Sequence, residues 1–202
     1  MEKIKTLFVR NMETDKLMRN EITPGAEWVI SGEGIATRKF DGSPVMLSNG
    51  LYYKRYDAKN GKMPPSDFLP AQDPDPITGH WPGWVMVRES PADKWFRLAL
   101  NNYILENHTG ANEPETFEPG VPVVSIEDDT FEAIGPHFQG NPEKILVDTL
   151  VPHGIEELEG IPRDFEGLRV YLREAPIEGI VWHHPDGHMV KIKARDFGFK
   201  RL

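Results

Sequence analysis

The sequence predicts an α+β fold with a mainly antiparallel sheet and a few flanking helices. Three observations carry that expectation. Short apolar–polar alternations recur along the chain, two segments repeat apolar residues at helical spacing, and Pro- and Gly-rich stretches punctuate them. Strands are expected at 3–10, 34–40, 45–47, 52–56, 121–126, 179–183 and 189–194. A helix is expected from residue 90, with Ser90 as N-cap, Pro91 at the first helical position and Asp93 in the first turn. Trp95/Phe96, Ala99/Leu100 and Tyr103/Ile104 then recur along it. A second helix carries Phe165, Leu168 and Leu172 on one face and stops at Pro176. Residues 61–83, with six prolines, read as a long loop, and residues 107–122 as another. Neither loop separates self-sufficient halves, so residues 1–202 read as one domain with elaborated loops.

The 202 residues include no cysteine, which excludes disulfides, thiolate zinc sites and a cysteine nucleophile. The N-terminus does not read as a secretory signal, and no stretch approaches a membrane span. An intracellular, cytoplasmic monomer is therefore expected. The net charge of −9 argues against a protein that simply coats nucleic acid. Two segments are nonetheless basic. Residues 38–62 carry six bases against two acids, and residues 188–202 carry five against one. Such segments attract an anion locally, because steering depends on the local field.

In "MVKIK", strand alternation points Val190 and Ile192 one way and Lys191 and Lys193 the other. Two ammonium groups about 7 Å apart on one strand face are suited to a shared anion. In "TRKFDG", the same alternation puts Thr37, Lys39 and Asp41 on one face. A free lysine, with a pKa of ~10.4, is neutral in roughly one of a few thousand molecules at pH 7. Nearby cations or burial make such an amine reactive. Glu132, in "TFEAIGP", and Glu178, in "IEGIVWHH", are carboxylates inside apolar runs, where a hard divalent cation or an arginine would stabilise them. "HHPDGH" (His183, His184, His188) suggests a metal site, but its Pro-Asp-Gly centre makes it a hairpin first.

Lys39-Phe40-Asp41-Gly42 resembles the KxDG motif of the covalent nucleotidyltransferases, the polynucleotide ligases and RNA-capping enzymes. Order and spacing extend the likeness. The Glu132 run is similar to motif III, the Glu178 run to motif IV, and "VKIKARDFGF" to motif V. The closest resemblance is to small single-domain RNA ligases of the ligase-1 type, on "GHWPGW" and "IGPHFQGNPE". It implies a nucleotidyltransferase (ATP-grasp-like ligase adenylation) domain, without a C-terminal OB domain. It also implies an ATP-dependent RNA ligase that joins 5′-phosphate and 3′-OH RNA ends through lysyl-AMP and an adenylylated 5′ end.

On the same resemblance, Lys39 is the nucleophile, and Lys191 and Lys193 hold the α-phosphate. Thr37, Arg38, Asp41, Gly42, Arg55 and Glu132 contact the nucleotide, with Lys54 as the alternative to Arg55. Glu178, Glu132 and Asp41 hold Mg2+ or Mn2+. Trp81, Trp84 and the tail Lys200-Arg201 are candidates for holding RNA, although a core role for the two tryptophans fits their setting better. The rival readings are a guanylyltransferase that caps RNA and a non-catalytic nucleotide- or RNA-binding module.

Overall fold

The computed structural model describes residues 3–107 and 116–200. Its strands run β1 (Lys5–Thr6), β2 (Phe8–Arg10), β3 (Met18–Ile22), β4 (Ile35–Lys39), β5 (Ser43–Ser48) and β6 (Leu51–Ala58). There follow β7 (Leu69–Pro70), β8 (Trp81–Met86), β9 (Thr130–Ile134), β10 (Thr149–Pro152), β11 (Gly179–His183) and β12 (Met189–Lys193). The α-helices are α1 (Glu27–Ile30), α2 (Lys94–Asn107) and α3 (Phe165–Glu174). The fold is α+β with mainly antiparallel sheets, and none of the described helices is long and apolar enough to cross a membrane. The chain divides into two compact units, one of residues 4–40 with the segment from 154 onward, the other of residues 41–153 with Lys3.

The first unit holds a four-stranded sheet in the order β1-β12-β11-β4. Only the β1–β12 pair is parallel. Alternation gives this sheet one apolar face, where Ala36, Ile180, Trp182, Val190 and Ile192 pack with Leu168 and Leu172 of α3. Asp164 caps α3 by accepting the Gly167 N–H at 2.9 Å. Ala175 is extended, as the residue before Pro176 must be, and the helix ends there. The outer edge of β4 is covered, because Arg38 N–H donates to Glu156 O and Leu158 N–H to Ala36 O. The strand expected over 3–10 breaks at the fully buried Leu7. Its second half joins β3 in a separate two-stranded ribbon. No clear alternation in "MRNEI" announces β3.

The second unit holds a six-stranded antiparallel sheet, β10-β9-β5-β6-β8-β7. Val45, Leu47, Tyr52, Phe131 and Leu150 pack there with Leu100 and Ile104 of α2. Three expectations need correction. The helix opens as a 3-10 turn over Pro91–Asp93, and the Ser90 side chain caps nothing. Asp93 is instead drawn inward, where its carboxylate accepts Arg88 N–H at 2.9 Å and pairs with Lys54. Residues 121–126 form no strand; Val123 N–H donates to Gly50 O, and Pro122 beside it has no N–H to add. The region 61–83 is not all loop, since β7 lies in it and β8 starts in it. Trp84 is 2 % exposed and Trp81 Nε1 donates to Gln72 O at 2.8 Å, so both anchor structure; buried Trp84 offers no ring to a base. Part of the segment 107–122, and Arg201 of the basic tail, lie outside the described residues.

The Tyr52 hydroxyl is buried, and none of the described residues offers it a hydrogen bond. A buried polar group so placed costs stability that its removal recovers. Tyr52→Phe is expected to stabilise the protein by about 1 kcal/mol, read from the urea midpoint. A loss of similar size would show that the hydroxyl has a partner in solution.

Candidate active site

The polar face of the four-stranded sheet is laid out by register. Lys39, Gly179 and Lys193 stand side by side in one row across β4, β11 and β12. Thr37, Val181 and Lys191 form the next row. Gly179 has no side chain, so nothing from β11 stands between the two lysines of its row. A Cβ there would lie 2.1 Å from Ile192 O, so the backbone approach also demands glycine.

Glu178 precedes Gly179 and bridges the row. Its Oε2 accepts from Lys39 Nζ at 2.6 Å, and its Oε1 accepts from Lys193 Nζ. Lys39 Nζ also reaches the Phe40 carbonyl at 3.2 Å. Lys193 is held from behind, because buried Asp196 accepts its backbone N–H at 2.9 Å and pairs with Arg10. Thr37 Oγ1 lies 3.2 Å from Val181 O and 2.9 Å from His183 Nε2. Arg38 points off the opposite side of β4, with its guanidinium 3.2 Å from Glu156 Oε2 and 4.6 Å above the Phe40 ring.

Three lysines face one glutamate here, so the cluster carries excess positive charge and is suited to an anion. Burial pushes the Lys191 amine down to about 8, with Lys193 and Lys39 adding to the effect. Burial also lowers Lys193, as does Lys39, while Glu178 opposes this. Burial alone would raise the Glu178 carboxyl, but Lys39 and Lys193 more than offset it and hold it below the usual carboxylate range.

The remaining candidate residues lie in the second unit. Glu132, on β9, is 4 % exposed; its Oε1 accepts Gly42 N–H at 3.0 Å, and its Oε2 lies 3.1 Å from His153 Nε2. Gly42 is required there, since a Cβ would sit 2.1 Å from Ala133 O. Asp41 is tethered through its backbone N–H, which donates to Glu143 Oε1 at 2.8 Å. Arg55 stacks over the Trp84 ring at 4.9 Å and lines a pocket of about 440 Å3 with Lys3, Asp57 and His80. Burial lowers its pKa, and Asp57 opposes that. Lys54 is committed to Asp93 and points off the other face of β6, where it packs near Phe96.

Sequence reasoning missed His183 and His153 as partners of Thr37 and Glu132. His183 was readable, since it shares the strand face of Gly179 and Val181. His153 meets Glu132 through the pairing of β9 with the neighbouring β10, and no local pattern announces such a contact.

Comparison with known proteins adds a family. The profile of a family described as RNA ligase 1 matches residues 59–201, a span that includes Glu132, Glu178, Lys191 and Lys193 and begins after Lys39. A Danio rerio protein named RNA ligase 1 is 32 % identical over 137 residues, 60 % of this chain and 42 % of that protein. Proteins of the same name from Mus musculus and Rattus norvegicus are 29 % and 30 % identical over 161 residues, 72 % of this chain and 46 % of each. The chain thus spans less than half the length of these relatives.

The lowered pKa of Lys191 has a sign. The folded value of about 8 lies below the ordinary 10.5, so the unfolded chain binds the proton more tightly. The resulting cost is present in full below pH 8 and is relieved as pH rises from there towards 10.5. Lys191→Met is expected to stabilise the protein near neutrality by up to roughly 3 kcal/mol, a gain that shrinks across that alkaline window. Chemical denaturation of both proteins across that pH range checks this; a constant or negative difference would contradict it.

Proposed function

The chain belongs to the RNA ligase 1 family, and from that premise we propose that it is an ATP-dependent RNA ligase. The observation that carries the chemistry is the row Lys39–Gly179–Lys193 with the carboxylate of Glu178 across it. Together with Lys191 in the next row, it presents one amine able to attack and two further cations able to hold a phosphate. This reading makes the fold a nucleotidyltransferase one, with Lys39 as nucleophile.

In the first step the neutral amine of Lys39 attacks the α-phosphorus of ATP. A P–N bond forms, pyrophosphate leaves with the electrons of the broken P–O bond, and the nitrogen sheds its proton. Glu178 must release Lys39 beforehand. Its two oxygens serve different lysines, so it can let go of one and keep the other in place. Lys191 and Lys193 hold the α-phosphate and screen the charge that grows on it. An RNA 5′-phosphate oxygen then displaces Lys39 from the adenylate, and a 3′-OH finally displaces AMP to close the strand.

Thr37 is assigned to the nucleotide on the same reading, with Arg38 contributing backbone alone because its side chain turns to Glu156; Asp41, Gly42 and Glu132 keep the nucleotide roles that the resemblance implies. Arg55 suits a phosphate, because its guanidinium is pre-set by stacking on Trp84. Lys54 does not compete for that role, being paired with Asp93. A divalent cation fits when it arrives with the phosphates of the nucleotide. Glu178 is one carboxylate flanked by two ammonium groups, and Glu132 is one carboxylate already bonded to Gly42 N–H. On the resemblance, Glu178 in the one unit, and Glu132 and Asp41 in the other, are each candidate oxygen donors to Mg2+ or Mn2+. The ion would supply charge against the phosphate oxygens.

The test is incubation with α-labelled ATP or GTP and Mg2+, followed by a denaturing gel and an RNA-sealing assay. ATP is expected to label the chain. Lys39→Ala should abolish the label, a fall of about a thousandfold or more, while exposed Lys59→Ala keeps it. Lys54→Ala is a poor control, since it strands the buried Asp93 carboxylate. No label with either nucleotide would sink the proposal, and label from GTP alone would favour a guanylyltransferase. Labelling without sealing of 5′-phosphate RNA would leave adenylylation without ligation.

A further inference from the structure

The turn between β11 and β12 gathers chemistry that the ligase reading does not use. His184, Asp186 and His188 each offer one ligand atom, and these atoms lie within 4.8 Å of one another. His184 Nδ1 is 2.6 Å from Asp186 Oδ1, and His188 Nδ1 is 2.9 Å from that same oxygen. The Nδ1 atoms of both imidazoles thus lie against one carboxylate oxygen. His183 belongs elsewhere, against Thr37, so the three histidines noted in the sequence are not the set that converges.

The backbone fixes this convergence. His184 N–H donates to His188 O and Gly187 N–H to His184 O, which closes the turn. His188 N–H donates to Asp186 Oδ1 at 3.0 Å and sets the carboxylate in place. A second observation comes from outside the turn. Glu33 Oε2 lies 3.2 Å from His184 Nε2, on the far side of the ring from Asp186. Carboxylates thus face both ring nitrogens of His184; a metal dication would displace the proton from Nδ1 while Glu33 goes on holding the Nε2–H, as the outer partners of metal-bound histidines do. The Trp28 ring packs edge-on against His184, with centroids 5.0 Å apart, and restrains the plane of the imidazole.

We propose that His184, Asp186 and His188 form a binding site for a transition-metal dication of the Zn2+ type. Two imidazoles and a carboxylate suit such an ion and suit Mg2+ poorly. Zn–N and Zn–O bonds of about 2.0–2.1 Å place tetrahedral ligand atoms ~3.3 Å apart, so small side-chain rotations complete the geometry. The fourth position goes to water or to a ligand from a partner. The bound ion clamps the two strands of the β11–β12 hairpin at its turn. This site stands apart from the ligase proposal, and neither depends on the other.

Isothermal titration of the tag-free chain with ZnCl2 tests it. One Zn2+ per chain is expected, with MgCl2 giving no competing heat. His188→Ala is expected to weaken binding about tenfold or more, and His184→Ala likewise. His188 is an exposed turn residue, so its replacement does not threaten the fold, and circular dichroism checks this. His80→Ala, which removes an exposed histidine of the other unit, is expected to bind as the parent does. Absence of Zn2+ binding at micromolar concentrations would overturn the site. So would binding that survives both turn variants, or that weakens equally in His80→Ala.

Discussion

One carboxylate organises the polar face of the four-stranded sheet. Three ammonium groups crowd a few strand positions, and like charges at that spacing repel. Glu178 makes the crowding tolerable by giving one oxygen to Lys39 and the other to Lys193. Its position is set by Gly179, whose lack of a side chain brings the backbones of β11 and β12 together and leaves the row open. Removing this one acid would leave three buried or half-buried cations with no counter-charge among themselves.

The opposite face of the same sheet carries the stability. Trp182, Ile180, Ile192 and Val190 are each at most 2 % exposed and pack against α3. Buried apolar area of that kind stabilises by roughly 25 cal/mol per Å2, which lets the unit tolerate unfavourable charge on its other side. Lys191 shows that tolerance directly, since its amine is held well below its ordinary pKa by burial. A protein selected for stability alone would place an apolar residue there. Retaining a lysine at a cost is what a binding face demands.

Much of this was legible because alternation is a local rule. β4, β11 and β12 were placed to within a residue or two, and the Lys191/Lys193 face followed from period two. The α3 segment was legible for the same reason, through its apolar face and Pro176. What failed was non-local or masked by composition. The prolines of residues 61–83 read as loop, yet Pro70 sits on the two-residue β7 and Pro82 inside β8. The apolar run at 121–126 read as strand, but its described backbone forms no strand and Val123 N–H reaches Gly50 O instead. The pairing of Asp93 with Lys54 joins residues 39 positions apart, and nothing near either announces the other. The Glu178 bridge itself was inferred only as a need for counter-charge. Its two-sided geometry comes from register, which a single sequence does not print.

That register has a consequence for how the chain reaches its folded state. Along β12, lysines alternate with Val190 and Ile192, so a pairing shifted by one residue would turn the ammonium groups into the apolar layer against α3. Each misplaced charge would forfeit its hydration, and each displaced aliphatic would be left in water. The alternation that builds the polar face therefore also checks its assembly: a hairpin misaligned by one residue penalises itself twice, and the arrangement that sets Lys193 beside Gly179 carries neither penalty.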